Sequence, residues 1–247
     1  MESLKNKTAV ITGVGSGFGK ATAELFAAKD QCNLVLIDID KEALDATVKV
    51  CTDAGSQVAS LAGDVTKLAT FTWALETALK NFGTVDFLIN FAGGAVKWAM
   101  VEELDDETNR KIIDLNLTST IMSCRTFMTH FKEQRGGKII NVSSVCDRRS
   151  WPGYSVYSAA KAGIREFSRC LYTEVRPFGV AVTTLVPGGS NTGFQKADGL
   201  SKFEWDEELA VRPEHFADAV YCICALSKGA CVSELCLYGL AQDICGF

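Results

Sequence analysis

The sequence is poor in several things, and each shortage narrows what it can be. Its 247 residues include four prolines and two histidines, His130 and His215. No apolar run comes near the roughly 18 residues that a membrane-spanning helix requires. With little proline and no repeat or low-complexity tract, the chain does not read as disordered or fibrous. Basic residues are not in excess either: 25 Lys and Arg face 30 Asp and Glu, a net charge of -5, with no basic cluster. Phosphate backbones are neutralised by clustered lysine and arginine, so nucleic acid is not an expected partner. The opening MESLKNKTAV is too polar for the apolar core of a signal peptide, so no membrane partner and a cytoplasmic location are expected.

Cysteine is plentiful, with ten residues scattered through apparent strands and helices, and most read as small buried hydrophobes kept reduced. Cys222 and Cys224 flank a single residue, which is not a usual zinc spacing, and with so few histidines no metal site is expected.

What the chain does have is alternation. TAVIT (8–12), NLVLID (33–38), VASLAG (58–63), VDFLIN (85–90), KIINVS (138–143) and VAVTTLV (180–186) are short apolar runs, and ELCLYGL (234–240) is a last one. Segments of helical period such as GKATAELFAAKD and KEALDATVKVCTDAG lie between them. This order implies an α/β fold, a parallel doubly wound sheet with helices on both faces, in one domain spanning residues 1–247. Residues 191–213 break the rhythm with glycine, charges and the aromatics Phe194, Phe203 and Trp205. That stretch reads as a substrate loop or lid, or as an ordinary connection.

The first strand runs into TGVGSGFGK, which sets Gly13, Gly17 and Gly19 at a strand-to-helix junction. Glycines there allow a tight turn and close approach of a pyrophosphate, and the free N–H groups of the helix start attract the anion. Asp38 ends the second strand, where a carboxylate can accept the hydroxyls of an adenosine ribose. A 2′-phosphate beside it would meet repulsion on the order of 4 kcal/mol, at an effective dielectric near 20 and about 4 Å. NAD is therefore expected in preference to NADP. Asp40, just before KEALDATVKV, suits the capping of the next helix instead.

YSVYSAAKAG (154–163) holds two tyrosines and a lysine among small residues. Residues four apart share a helix face, so Tyr157 and Lys161 can approach one ligand. Tyr154 is two turns from Lys161, about 10 Å along the axis, and is left as a cavity wall. A phenol's ordinary pKa is about 10, and a neighbouring ammonium favours its phenolate, which makes Tyr157 the acid–base candidate. The small residues are suited to close packing.

These elements together resemble the classical short-chain dehydrogenase/reductase family. The match covers Thr12, Gly13, Gly17 and Gly19 of the glycine pattern, Asp64 and Val65, Asn90, Ala92 and Gly93 of NFAGG (with Phe91 where a second asparagine is usual), and Pro187 and Gly188. Ser144 lies thirteen residues before Tyr157, and Asn116 stands in IIDLNLTST. The resemblance implies a Rossmann-type fold and a catalytic set of Asn116, Ser144, Tyr157 and Lys161. Cofactor contacts are implied from Gly13, Ser16, Gly17, Phe18, Gly19, Asp38, Asp64, Val65, Asn90, Ala92, Gly93, Tyr157, Lys161, Pro187, Gly188, Ser190 and Thr192. The implied reaction interconverts a secondary or primary alcohol and its carbonyl by hydride transfer. Ser144 would orient the substrate oxygen, Tyr157 would exchange its proton, Lys161 would bind the nicotinamide ribose and lower the phenol's pKa, and Asn116 would hold a helix irregularity and a proton-path water. The family's NADP users commonly carry a basic residue at one or other of the positions here held by Ser16 and Ile39, so NAD is again expected.

Substrate contacts are expected from Ser144, Arg148, Tyr154 and Tyr157. Arg148 and Arg149 stand between Ser144 and Tyr157, and an inward arginine would grip a carboxylate or sulfonate. Both pointing to solvent, with Asp147 pairing one of them, is the bland alternative. Other functions left open are a 3-oxoacyl carrier-protein reductase and a catalytically idle cofactor-binding protein. The resemblance also implies a homo-oligomer, tetramer or dimer. The ending ELCLYGLAQDICGF lacks the family's aspartate-glycine-glycine close, which leaves the details of that assembly open.

Overall fold

A computed structural model describes residues 1–190, 209–240 and 242. Seven parallel strands form one sheet in the order β3-β2-β1-β4-β5-β6-β7. They are β1 (Thr8–Thr12), β2 (Asn33–Asp38), β3 (Val58–Ala62), β4 (Phe87–Asn90), β5 (Gly137–Val142), β6 (Val180–Pro187) and β7 (Glu234–Leu237). The helices used below are α1 (Gly17–Asp30), α2 (Lys41–Asp53), α3 (Leu68–Phe82), α4 (Asp106–Ile113), α5 (Ser119–Gln134), α6 (Ser155–Val175) and α7 (Pro213–Cys224).

Alternation along the strands explains why both faces are covered. Side chains of successive strand residues point to opposite faces. Ala9, Ile11, Leu34, Leu36, Ile89 and Ile140 join a core with Phe26 of α1, Leu44 of α2 and Phe216 of α7. Val10, Val35, Ile37, Leu88 and Ile139 join another with Phe71 of α3, Phe127 and Phe131 of α5 and Leu171 of α6. Both faces are apolar, so the strands read as continuous hydrophobic runs. The parallel sheet covered on both faces is the one the βαβ rhythm implies, and the fold is Rossmann-type, as the resemblance implies.

From β1 the chain winds outward through β2 and β3, then returns to place β4 on the other side of β1. The carboxyl ends of β1 and β4 therefore feed loops in opposite directions, which opens a crevice between them. Thr12 pairs with Asn90 at that end of the sheet, and Thr12 Oγ1 accepts the Ala92 N–H at 3.2 Å. Gly13 turns here with φ +73°, and a Cβ on it would sit 2.8 Å from the Ala92 nitrogen. The two loops touch because that position carries no side chain.

Lys138 supplies a tether on the far side of β5. Its buried ammonium donates to the carbonyls of Ile223 at 2.8 Å and Cys224 at 2.9 Å, closing the end of α7.

Candidate active site

The crevice holds a cavity of about 680 Å³. One end is built by the glycine turn and α1. Ser16 precedes the helix with no side-chain capping bond, and α1 has no acid in its first turn. The N–H groups of Gly17, Phe18 and Gly19 are thus available to an anion. Asp38 lies across from them, where its Oδ2 accepts the Gly15 N–H at 2.7 Å and its Oδ1 accepts the Asp40 N–H at 2.9 Å. The carboxylate is held in place by backbone and keeps lone pairs for a ligand. Asp40 caps α2 by accepting from the Ala43 N–H at 3.1 Å. Ser16, Ile39, Asp64 and Val65 line this end, and among the described residues no lysine or arginine does.

The other end is built by β5, α6 and the segment after Ser144. Along α6, residues 157, 160, 161, 164, 168, 171 and 175 are buried, so Tyr157 and Lys161 share the inward face. Both line the cleft, with Lys161 Nζ 5.6 Å from the centre of the Tyr157 ring. Lys161 Nζ donates to the Val142 carbonyl at 2.9 Å, which uses one of its three N–H bonds. Burial pulls its pKa from the ordinary 10.5 to about 8, against the opposing pull of Cys146 and Asp147. Ser144 also faces the cleft, and its Oγ accepts the Cys146 N–H at 3.2 Å.

Asn116 sits in a π-helical turn, Asp114–Thr118, between α4 and α5. Its amide nitrogen donates to the carbonyls of Gly94 at 2.8 Å and Ile112 at 2.9 Å, and its Oδ1 accepts the Gly94 N–H at 3.0 Å. A Cβ on Gly93 would lie 2.9 Å from Asn116 Oδ1 and 3.4 Å from Lys161 Nζ. Glycine there lets the 93–94 loop pass between the two. The irregular helix expected at Asn116 is thus present, although nothing in local propensity announces it.

Most expected residues come together. Gly13, Ser16, Gly17, Phe18, Gly19, Asp38, Asp64, Val65, Ala92, Gly93, Ser144, Tyr154, Tyr157, Lys161, Pro187, Gly188 and Ser190 all line one cleft. Asn90 does not. Its Nδ2 donates to Asn141 Oδ1 at 2.9 Å and its Oδ1 accepts from Ser123 Oγ at 2.8 Å, so it ties β4 to β5 and α5 beneath the cleft. Arg148 does not reach the cleft either, because Asp147 and Glu234 claim its guanidinium at 2.7 and 2.9 Å. Its neighbour Arg149 lines the cleft beside Trp151, 5.4 Å from that ring's centre. Thr192, Cys245 and residues 191–208 of the 191–213 stretch read as a substrate loop or lid lie outside the described residues. Sequence reasoning missed Trp151 and Gln242. Gln242 follows the last strand, lines the cleft and accepts the Gly189 N–H at 2.9 Å.

The sequence profile described as short chain dehydrogenase matches residues 7–201. The chain belongs to that family. This short-chain dehydrogenase is 34% identical over 192 residues to 3beta-hydroxysteroid dehydrogenase 1 of Eggerthella lenta, covering 77% of this chain and 73% of the relative. In three dimensions it is similar to an alcohol dehydrogenase of the archaeon Thermococcus sibiricus complexed with 5-hydroxy-NADP, with a TM-score of 0.84, 28% identity and 96% and 98% of the two chains covered. It is equally similar to the 3-ketoacyl-(acyl-carrier-protein) reductase of Brucella melitensis complexed with NADH, with a TM-score of 0.84, 29% identity and the same coverage. Membership makes the chain an oxidoreductase of the family. No helix among the described residues is long and apolar enough to cross a membrane.

The buried Lys161 charge has a measurable cost. Its folded pKa near 8 lies below the ordinary 10.5, so the ammonium opposes folding below pH 8, and the cost fades as pH rises towards 10.5. Lys161→Met is expected to be more stable than wild type at pH 7 by on the order of 2–3 kcal/mol in urea unfolding, with the gain shrinking above pH 8. A variant less stable than wild type at pH 7 would contradict this.

Proposed function

We propose that the protein is an NAD-dependent oxidoreductase that interconverts an alcohol, secondary or primary, and its carbonyl compound. The observation that carries this reading is the shared cleft: the glycine turn and Asp38 face one end, and Ser144, Tyr157 and Lys161 face the other. The donor set of this cleft suits a dinucleotide. Free backbone N–H groups of α1 meet the pyrophosphate, Asp38 accepts from the adenosine ribose, and the remaining N–H bonds of Lys161 meet the nicotinamide ribose. NAD is favoured over NADP because Asp38 repels a 2′-phosphate and Ser16 and Ile39 offer no countercharge.

The bound nicotinamide supplies the hydride chemistry. The chain supplies position and proton exchange. Ser144 orients the substrate oxygen, and Tyr157 takes the alcohol proton in one direction and returns it in the other. Lys161 beside it favours the phenolate, which brings the phenol nearer to the working pH. Asn116 holds the π turn and the 93–94 loop against Lys161. A homo-oligomer in the cytoplasm, with Asn116, Ser144, Tyr157 and Lys161 as the catalytic set, belongs to the same reading.

The substrate end favours an anion with an apolar body. Arg149, Trp151 and Tyr154 line it, with Tyr154 packed edge-on to Tyr157 at 6.0 Å between ring centres. In this reading Arg149, rather than Arg148, grips a carboxylate or sulfonate while the rings cover the remainder.

Two experiments test the proposal. Tyr157→Phe should lower kcat by about a thousandfold or more while NADH binding, followed by fluorescence, stays near wild type. Ordinary turnover in that variant would sink the assignment. For the substrate, an acid should be compared with its neutral amide: Arg149→Leu should lower kcat/KM for the acid by about tenfold or more and leave the amide unaffected. Equal losses on both would remove the anion.

A further inference from the structure

Behind the cleft wall lies a group of charges that the proton and hydride chemistry does not touch. Asp147 ends the short 3-10 turn Val145–Asp147 that follows Ser144, and its side chain has 0% solvent exposure. It accepts from Ser143 Oγ at 2.7 Å and from Arg148 Nε at 2.7 Å, and it pairs with Arg165 Nη1 of α6 at 3.3 Å. Ser143 Oγ also lies 2.9 Å from the backbone carbonyl oxygen of Lys161. Arg148 carries the network on to Glu234 of β7, at 2.9 and 3.0 Å. Two carboxylates and two guanidinium groups thus join the Ser144 turn, the helix of Tyr157 and Lys161, and an edge strand.

Taking a carboxylate out of water is costly, and a buried ion pair adds little net stability over an apolar replacement. Stability alone is therefore a weak reason for Asp147, and its effect on its neighbours is a better one. Its charge acts on Lys161 in opposition to burial. We propose that Asp147 is a positioning residue for the acid–base pair: it fixes the Ser144 turn against α6, and its negative charge sets the pH at which the Tyr157–Lys161 pair releases a proton. This rests on the reading of Tyr157 as the acid–base group.

Among the described residues, the titratable and charged groups facing the pair are these. Cys146 and Arg149 share its cleft, Tyr154 precedes it at the start of α6, and Asn116 on the π turn is neutral. Arg148, Arg165 and Glu234 stand behind it with Asp147. Removing a negative charge favours loss of a proton from the pair whichever group releases it, so the macroscopic pKa of the pair falls. Removing a positive charge raises it.

Asp147→Asn keeps the shape and deletes the charge. The midpoint of the pH profile of kcat/KM for alcohol oxidation should move to lower pH, by about one unit. Arg165→Met alone should move it to higher pH, and it stands in if Asp147→Asn fails to fold. The double variant Asp147→Asn/Arg165→Met should return the midpoint towards wild type. A merely structural residue would lower kcat at every pH and leave the midpoint fixed. A fixed midpoint in either folded single variant, or shifts of the same sign in both, overturns the proposal. Tyr157→Phe keeps the two readings separable: normal turnover there defeats the acid–base reading, whereas an inactive Tyr157→Phe with immobile midpoints defeats the role of Asp147 alone.

Discussion

A parallel sheet cannot be joined by hairpins, because each strand must be reached by a crossover that packs on one face or the other. Here the crossovers from β1 outward use α1 and α2 on one face, and the order β3-β2-β1-β4-β5-β6-β7 then forces the chain back past β1. The crevice above β1 and β4 follows from that reversal, not from any special loop. Everything argued for the site depends on it. The glycine turn is the exit of β1, Asp38 is the exit of β2, and Ser144 is the exit of β5, so three strand ends bring their residues to one rim.

What α6 adds is a charge in a place where charges are costly. Lys161 is 4% exposed and makes one hydrogen bond to the Val142 carbonyl, yet its neighbours include a phenol, a thiol and, through Ser143, a buried carboxylate. In the proposed reading, ribose hydroxyls would give this buried ammonium the hydrogen-bond partners that burial has cost it. Function and a local loss of stability are here two views of one side chain.

Much of this was legible in the sequence, for reasons that also mark the limits of such reading. Strands buried on both faces stand out as apolar runs, and the i,i+4 spacing of Tyr157 and Lys161 fixes a common helix face. The same two-sided burial hides which way a given strand residue points, so Asn90 could be placed at the right strand end yet on the wrong face of it. Arg148 and Arg149 differ by one position in a tight turn after Asp147, where no period distinguishes inward from outward. The π turn at Asp114–Thr118 came only from the resemblance at Asn116, since a helix with one extra residue per turn has no composition of its own. Gln242 lies beyond the last strand, where topology alone brings the chain back to the cleft.

The central claim, that a dinucleotide spans from Asp38 to Tyr157 and Lys161, is tested most directly by a crystal structure of the protein with NAD bound. The account predicts the adenosine ribose hydroxyls within about 3 Å of Asp38 and the nicotinamide ribose within the same distance of Lys161 Nζ. The nicotinamide ring should then turn its reactive carbon towards Ser144 and Tyr157. A nucleotide bound outside this cleft, or with its nicotinamide turned away from Tyr157, would contradict the account.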